Sequence, residues 1–229
     1  MASNTHDSIE WKPTRSPARV RRRLLGLGLV VAASILWIDG PVAAWFAGIR
    51  IDGDLRREMG FVQQFGAISS ILGTIWLVVL LDRRGRARLW DLLLSLLLAS
   101  LAALILKIMV GRPRPSLGEP GVFLGPFGAF PIQGVGVVHS WSPEMWRTAQ
   151  LWSFPSSHTL SAVVLATYLS LVYPQIRSFA WTMACLVGLI RISLAAHYVS
   201  DVVAGGVLGW AITRTVVAGA WVSRAGRVT

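Results

Sequence analysis

The sequence predicts an all-α fold: a bundle of six transmembrane helices, with both termini in the cytoplasm and a polar site at the outer face. Three observations carry this prediction. Of 229 residues, 54% are hydrophobic and only 14% charged, a balance outside the range of soluble domains. Six stretches reach or approach the roughly 20 apolar residues that a spanning helix needs. The 22 basic residues, which give a formal net charge of +11, fall mostly between those stretches. Membrane topology therefore accounts for the charge, and no nucleic-acid partner is expected.

Residues 1–23 are polar and rich in Pro and Arg, and form a basic segment ahead of the membrane domain. The membrane domain covers residues 24–222 and leaves a short cytoplasmic tail at 223–229. Its spans are expected at residues 24–45, 61–81, 89–110, 156–173, 179–198 and 199–222. The first is interrupted by Asp39-Gly40-Pro41, so its outer part is expected along the membrane surface. An alternative reading takes Arg21-Arg22-Arg23 and the apolar residues after it as a signal peptide, cleaved near Val42-Ala43-Ala44. Arg214, in the sixth span, can snorkel to an interface. With the N-terminus inside, 14 of the 22 basic residues lie on cytoplasmic segments. That bias predicts both termini inside, and the expected location is the cell (inner) membrane, as a multi-pass protein. Cys185 is the only cysteine, which excludes an intrachain disulfide and a cysteine-rich metal site.

This topology gathers three polar sets at one face. Counting about 1.5 Å per residue from the inner ends of their spans, Lys107 and His197 each lie about 27 Å up, and Arg191 about 18 Å. His158 begins the fourth span at that same face. The long connection 111–153 is the only large loop, and such loops commonly bind ligands or act as lids. Within it, Ser142-Pro143-Glu144 predicts the start of a short interfacial helix. Trp141, Trp146 and Trp152 can equally form part of an aromatic belt. His139, nearby, reads as a surface histidine.

The residue types in these sets suit a phosphate. An arginine two-thirds of the way along a span, as at Arg191, is expensive without a polar partner and marks a functional position. Gly111-Arg112-Pro113-Arg114-Pro115 cannot continue a helix, so the chain turns there and holds guanidinium groups near the surface. The forks of Arg114 and Arg112 match phosphate oxygens, with Lys107 adding a point charge. For Arg112 an anchor to anionic head groups is an equal reading. Phe154-Pro155-Ser156-Ser157-His158 opens a helix whose free N–H groups and dipole favour an anion. Ser156 or Ser157 can cap that helix or bind phosphate, and His158 can protonate a leaving oxygen. His197 and Asp201, four apart, face each other on a helix. A carboxylate on one ring nitrogen frees the other for nucleophilic attack. An unbroken helix places Arg191 and His197 about 240° apart, so the fifth span is expected to bend or end between Ser193 and Tyr198.

The constellation resembles a known signature. Lys107, six residues, Arg114-Pro115, then Pro155-Ser156-Ser157-His158, then Arg191, five residues, His197, three residues, Asp201 is similar to the three-part motif of the type 2 phosphatidic acid phosphatase and vanadium haloperoxidase superfamily. It departs at Ser157, where the family has Gly, and at Ile190, where the family has Ser. The resemblance implies a metal-independent, cofactor-free lipid phosphatase of the membrane branch. His197 is then the nucleophile that forms a phosphohistidine, Asp201 orients it, and His158 is the acid and base. Lys107, Arg114, Ser156, Ser157 and Arg191 hold the phosphate. The implied partners are a lipid phosphate substrate and the bilayer. A lipid-to-lipid phosphotransferase, a catalytically weak lipid-phosphate-binding scaffold, and a channel or transporter are the alternatives. The last is opposed by the concentration of intramembrane charge at one face. Neither the lipid nor the oligomeric state is readable.

Overall fold

A computed structural model describes residues 26, 28–82 and 85–219. The expected basic segment 1–23, the tail 223–229 and the last residues of the sixth span lie outside those residues. The chain is mostly helical. Its elements are α1 (Gly28–Ala47), α2 (Gly53–Gln63), α3 (Ile68–Leu81), α4 (Leu89–Val110), β1 (Ala129–Ile132), β2 (Gly136–His139), α5 (Met145–Thr148), α6 (Ser157–Val172), α7 (Arg177–Ser193) and α8 (Val199–Gly219).

Among the described residues, four helices are long and apolar enough to cross a membrane: α1, the helical stretch containing α4, the one containing α7, and α8. The bent pair of α2 and α3 makes a fifth if counted as one span. Leu36, Trp37, Phe61, Leu81, Trp90 and Leu97 are among many large apolar side chains left exposed. This apolar exterior, far beyond what a water-facing surface tolerates, is that of a membrane protein.

Three of the expected spans take a different form. The first continues as helix through Asp39-Gly40-Pro41 to Ala47, with a widened π-helical turn over Ser34–Ile38 directly before it. The second is broken: Ala67 takes an extended conformation (φ −98°, ψ 166°), and α2 meets α3 at 55°. The two helices differ in composition: α2 carries Asp54, Arg56, Arg57 and Glu58 on exposed positions, whereas the 14 residues of α3 carry no charge. The fourth, α6, has 16 residues and is about 24 Å long. It packs against α4, α7 and α8, and every residue from 162 to 169 is buried. As an inner helix it needs no polar face, and its sequence is mostly apolar through its middle.

Glycines set the closest of these contacts. A Cβ at Gly205 or Gly209 of α8 lies only 2.6 Å from the Ser156 carbonyl oxygen and 2.7 Å from that of Leu160. The two backbones approach as closely as small residues four apart permit.

The long loop holds less helix and more sheet than expected. An antiparallel hairpin pairs Ala129 with His139 and Ile132 with Gly136, a local exception to the all-α prediction. The helix after Ser142 lasts only from Met145 to Thr148 before Ala149 turns to positive φ (50°). Trp141 and Trp146 are exposed, as in a belt, but Trp152 is buried and its Nε1–H donates to the Ser140 carbonyl at 2.6 Å. His139 stacks on Trp141 (5.4 Å between centroids). Its Nδ1 lies 2.9 Å from the Gly128 carbonyl.

Candidate active site

The site forms where α4, α7 and the loops before α6 and α8 end together. Helix α4 stops at Gly111, whose left-handed conformation (φ 55°) lets its N–H close on the Lys107 carbonyl at 2.9 Å. A side chain there meets the Gly125 carbonyl at 2.9 Å, so glycine is required on both counts. Lys107, in the last turn, is buried and donates to the carbonyls of Trp152 (2.8 Å) and Pro155 (2.9 Å). Two of its three N–H bonds thus fasten the strand of chain that leads into α6.

At the start of α6 the Ser156 amide donates to the Asp201 carbonyl (3.0 Å) and its hydroxyl pairs with that of Thr159 (3.0 Å). Both polar groups of Ser156 are engaged within the protein. Ser157 and His158, half-buried in the first turn, carry the amides that a helix start leaves without intrahelical partners. Arg191, near the end of α7, donates one Nη to Gln63 Oε1 at 2.9 Å. The buried Nε atoms of Arg191 and Arg114 have no hydrogen-bond partner among the described residues. Nor does Lys107, Arg114 or Arg191 meet a carboxylate within 4.0 Å among those residues. All three charges bear on His158, and those of Arg191 and Lys107 bear on His197 as well.

Helix α7 ends at Ser193, within the expected interval. Ala195 then reverses to φ 49°, and the amides of Ala196 and His197 both close on the Arg191 carbonyl at 3.1 Å. This turn places Arg191 and His197 on one side despite their spacing. His197 Nδ1 lies 2.7 Å from the Ser153 carbonyl. A carbonyl only accepts, so Nδ1 carries the proton and Nε2 keeps its lone pair. Burial of this turn, which lies between the two spanning helices, lowers the imidazole to about 4, against the opposing pull of Asp201. His197 is therefore neutral near pH 7.

Asp201 stands 3.8 Å from His197 Nδ1 through Oδ2. That oxygen accepts from Ser153 Oγ (2.5 Å) and from the Tyr198 amide (2.9 Å). The Tyr198 contact makes Asp201, third residue of α8, half of a capping box. Its Oδ1 accepts from Arg112 Nη1 at 2.7 Å. Arg112 is fully buried and also donates to Asp39 Oδ2 at 2.8 Å. This overturns the head-group-anchor reading of Arg112: two carboxylates inside the protein neutralise it, and its side chain is enclosed by the protein.

Sequence reasoning missed Asp39, Ser153, Ser200 and Gln63. A signal existed for Asp39, a carboxylate inside an apolar run. In the sequence, Asp39-Gly40-Pro41 reads as a helix interruption instead. Ser153 contributes through its main chain as well as its hydroxyl, and Gln63 is one of two adjacent glutamines on a surface-like helix, so neither carried a readable signal.

The sequence profile of the PAP2 superfamily matches residues 88–225, more than half of the chain and all of the stretch from Lys107 to Asp201. The chain belongs to the PAP2 superfamily. A PAP2 relative from Rhizobium etli named Lipid A 1-phosphatase is 28% identical over 191 residues, covering 78% of this chain and 75% of the relative. Two solved structures share the fold. LpxE from Aquifex aeolicus gives a TM-score of 0.56 at 19% identity, over 77% of this chain and 92% of its own. The PAP2-type phosphatidylglycerolphosphate phosphatase from Bacillus subtilis gives 0.59 at 23% identity, over 86% and 92%. Against the family motif, Ser157 sits half-buried at the start of α6, and Ile190 is a buried apolar residue of α7.

Proposed function

We propose that this chain is a lipid phosphatase of the inner membrane that hydrolyses a lipid phosphomonoester or pyrophosphate through a phosphohistidine on His197. The observation that carries the reading is the set of Lys107, Arg114 and Arg191, three cations with no carboxylate within 4.0 Å among the described residues, all of which bear on His158 and two of which, Lys107 and Arg191, bear on His197. A phosphate group is the anion whose charge and oxygen geometry match such a set. The Rhizobium etli relative supports a lipid-borne phosphate. So does a groove between α4 and α6 that runs from Lys107 and Ser157 past Ala103, Leu104 and Leu160, suited to the lipid's chain.

In the mechanism, His197 Nε2 attacks phosphorus while His158 gives its proton to the departing oxygen. His158 then takes a proton from water as that water attacks the phosphohistidine, releasing phosphate and restoring His197. Lys107, Arg114, Arg191 and the amides of Ser157 and His158 hold the phosphoryl oxygens, which is the main electrostatic contribution in such transfers. The membrane domain spans residues 24–222 with six crossings, both termini lie in the cytoplasm, and the site opens to the outer face. Support for this orientation is the cytoplasmic bias of the basic residues in the sequence.

The test is phosphate release by detergent-purified protein, with chelator present, from undecaprenyl pyrophosphate, phosphatidate, phosphatidylglycerol phosphate and lipid A phosphates. Chelator-insensitive release that is lost in both His197→Ala and His158→Ala is the expected result. Absence of release from all four lipids by folded protein overturns the reading.

A further inference from the structure

We propose that Asp39, on the first helix, is a positioning residue for the His197 nucleophile, acting through Arg112 and the start of α8. The inference rests on the phosphatase reading for its kinetic consequence but on geometry for its structural one.

Asp39 is fully buried within a membrane-spanning helix, where an isolated carboxylate is costly and marks function. Its partners all adjoin Asp201. Oδ1 accepts the Ser200 amide at 2.9 Å, satisfying one of the free N–H groups in the first turn of α8 from another helix. Oδ2 accepts Arg112 Nη2 at 2.8 Å and a close hydrogen bond from Ser200 Oγ. Arg112 Nη1 reaches Ser200 Oγ at 2.6 Å and Asp201 Oδ1 at 2.7 Å, and Nη2 also reaches the Pro120 carbonyl at 2.8 Å. The guanidinium lies 4.1 Å over the Tyr198 ring. One cation is thus shared between two carboxylates, and every donor involved sits within two residues of Asp201 or on Arg112 itself.

From there the chain of bonds is short. Asp201 fixes Ser153 through its hydroxyl, and the carbonyl of Ser153 fixes the Nδ1 proton of His197. In Asp39→Asn one oxygen still accepts the Ser200 amide, but an NH₂ replaces the oxygen that accepts from Arg112 and Ser200 Oγ, so Arg112 keeps Asp201 as its one carboxylate among the described residues and the first turn of α8 and the Asp201 carboxylate shift together. The π-helical turn over Ser34–Ile38, a feature frequent at functional positions, stands directly before Asp39. No role confined to tethering α1 requires both carboxylate oxygens to be spent on the neighbours of Asp201.

The experiment compares Asp39→Asn and Ser200→Ala with the full-length wild type, using phosphate release and ¹⁵N-histidine NMR of the four histidines. In the wild type His197 reports the Nδ1–H tautomer. The expected result for Asp39→Asn is a His197 signal displaced toward a mixture of tautomers, with that of His139 unmoved. Its kcat falls about 10- to 100-fold, the scale on which outer partners of a functional imidazole act, and KM stays within about threefold. Ser200→Ala gives the same displacement to a lesser degree and stands in if Asp39→Asn does not fold. A folded variant of either kind with unchanged tautomer and unchanged kcat overturns the proposal while leaving the phosphatase reading intact. Displacement of the His197 signal in a protein that releases no phosphate does the reverse.

Discussion

The Ser153 carbonyl takes the Nδ1 proton of His197 at 2.7 Å, while the nearest carboxylate oxygen, on Asp201, stands 3.8 Å from the same nitrogen. A main-chain acceptor therefore sets the tautomer, and no side-chain substitution can delete it. Asp201→Asn is expected to lower kcat by about 100-fold, less than the roughly 10⁴-fold that follows when a triad carboxylate is the imidazole's own partner. His197→Ala abolishes turnover. Single-turnover kinetics of the two variants side by side measure the difference, and equal losses contradict the division of labour.

Gln63 offers Arg191 a neutral acceptor at 2.9 Å. Gln63→Glu turns this acceptor into a carboxylate that competes with the substrate for the same guanidinium. The expected outcome is a kcat/KM at least about tenfold lower, since one clamp of the developing charge is diverted. Most of the loss should sit in KM, because the competition is for ground-state binding as well. Gln63→Leu, which removes the acceptor without adding charge, is expected to be milder, and steady-state kinetics of the pair decide.

The buried His197 makes stability depend on pH in a defined direction. Its folded pKa of about 4 lies below the ordinary 6.5, so the folded state binds fewer protons between those values. Stability is full above about pH 6.5 and is lost as pH falls toward 4, at up to roughly 1.4 kcal/mol per unit. The thermal midpoint of the detergent-solubilised protein should drop across that window. In His197→Asn the slope should flatten; an unchanged slope assigns the acid sensitivity to another group.

Gly205 faces the Ser156 carbonyl so closely that an added Cβ stands 2.6 Å from its oxygen. Gly205→Ala is expected to push the start of α6 away from α8, at a cost of about 1–3 kcal/mol. Because Ser156 directly precedes Ser157 and His158, activity should fall as well as the thermal midpoint. Ala204, half-buried on the same helix, supplies the control: Ala204→Val should leave activity nearly unchanged.

Much of this arrangement is legible in the sequence. Apolar run lengths gave the long helices, and the incompatible angular positions of Arg191 and His197 located the end of α7 to within a few residues. Proline and glycine spacing after Lys107 located the end of α4. What escaped had physical reasons. The enclosure of α6 by other helices is one instance, because an inner helix has the same composition as a lipid-facing one. The break at Ala67 carries no proline to announce it. The pairing of Asp39 with Arg112 joins residues 73 apart in the chain, and nothing in either neighbourhood names the other. The Ser153 carbonyl, a main-chain group, exists at every position and is selected only by the fold.

The burial of α6 bears on how this protein lives in bilayers of different thickness. A helix of 16 residues, about 24 Å, falls short of the roughly 30 Å hydrocarbon layer, yet its middle is enclosed by other helices and never needs to match it. Tilt, thinning and mismatch strain fall on α1, α3, α4 and α7, which carry exposed apolar surface. His158, riding on the inner helix, keeps its depth relative to His197 whatever the acyl length of the surrounding lipid. Turnover in reconstituted vesicles should accordingly vary little as the host lipid is lengthened or shortened by a few carbons.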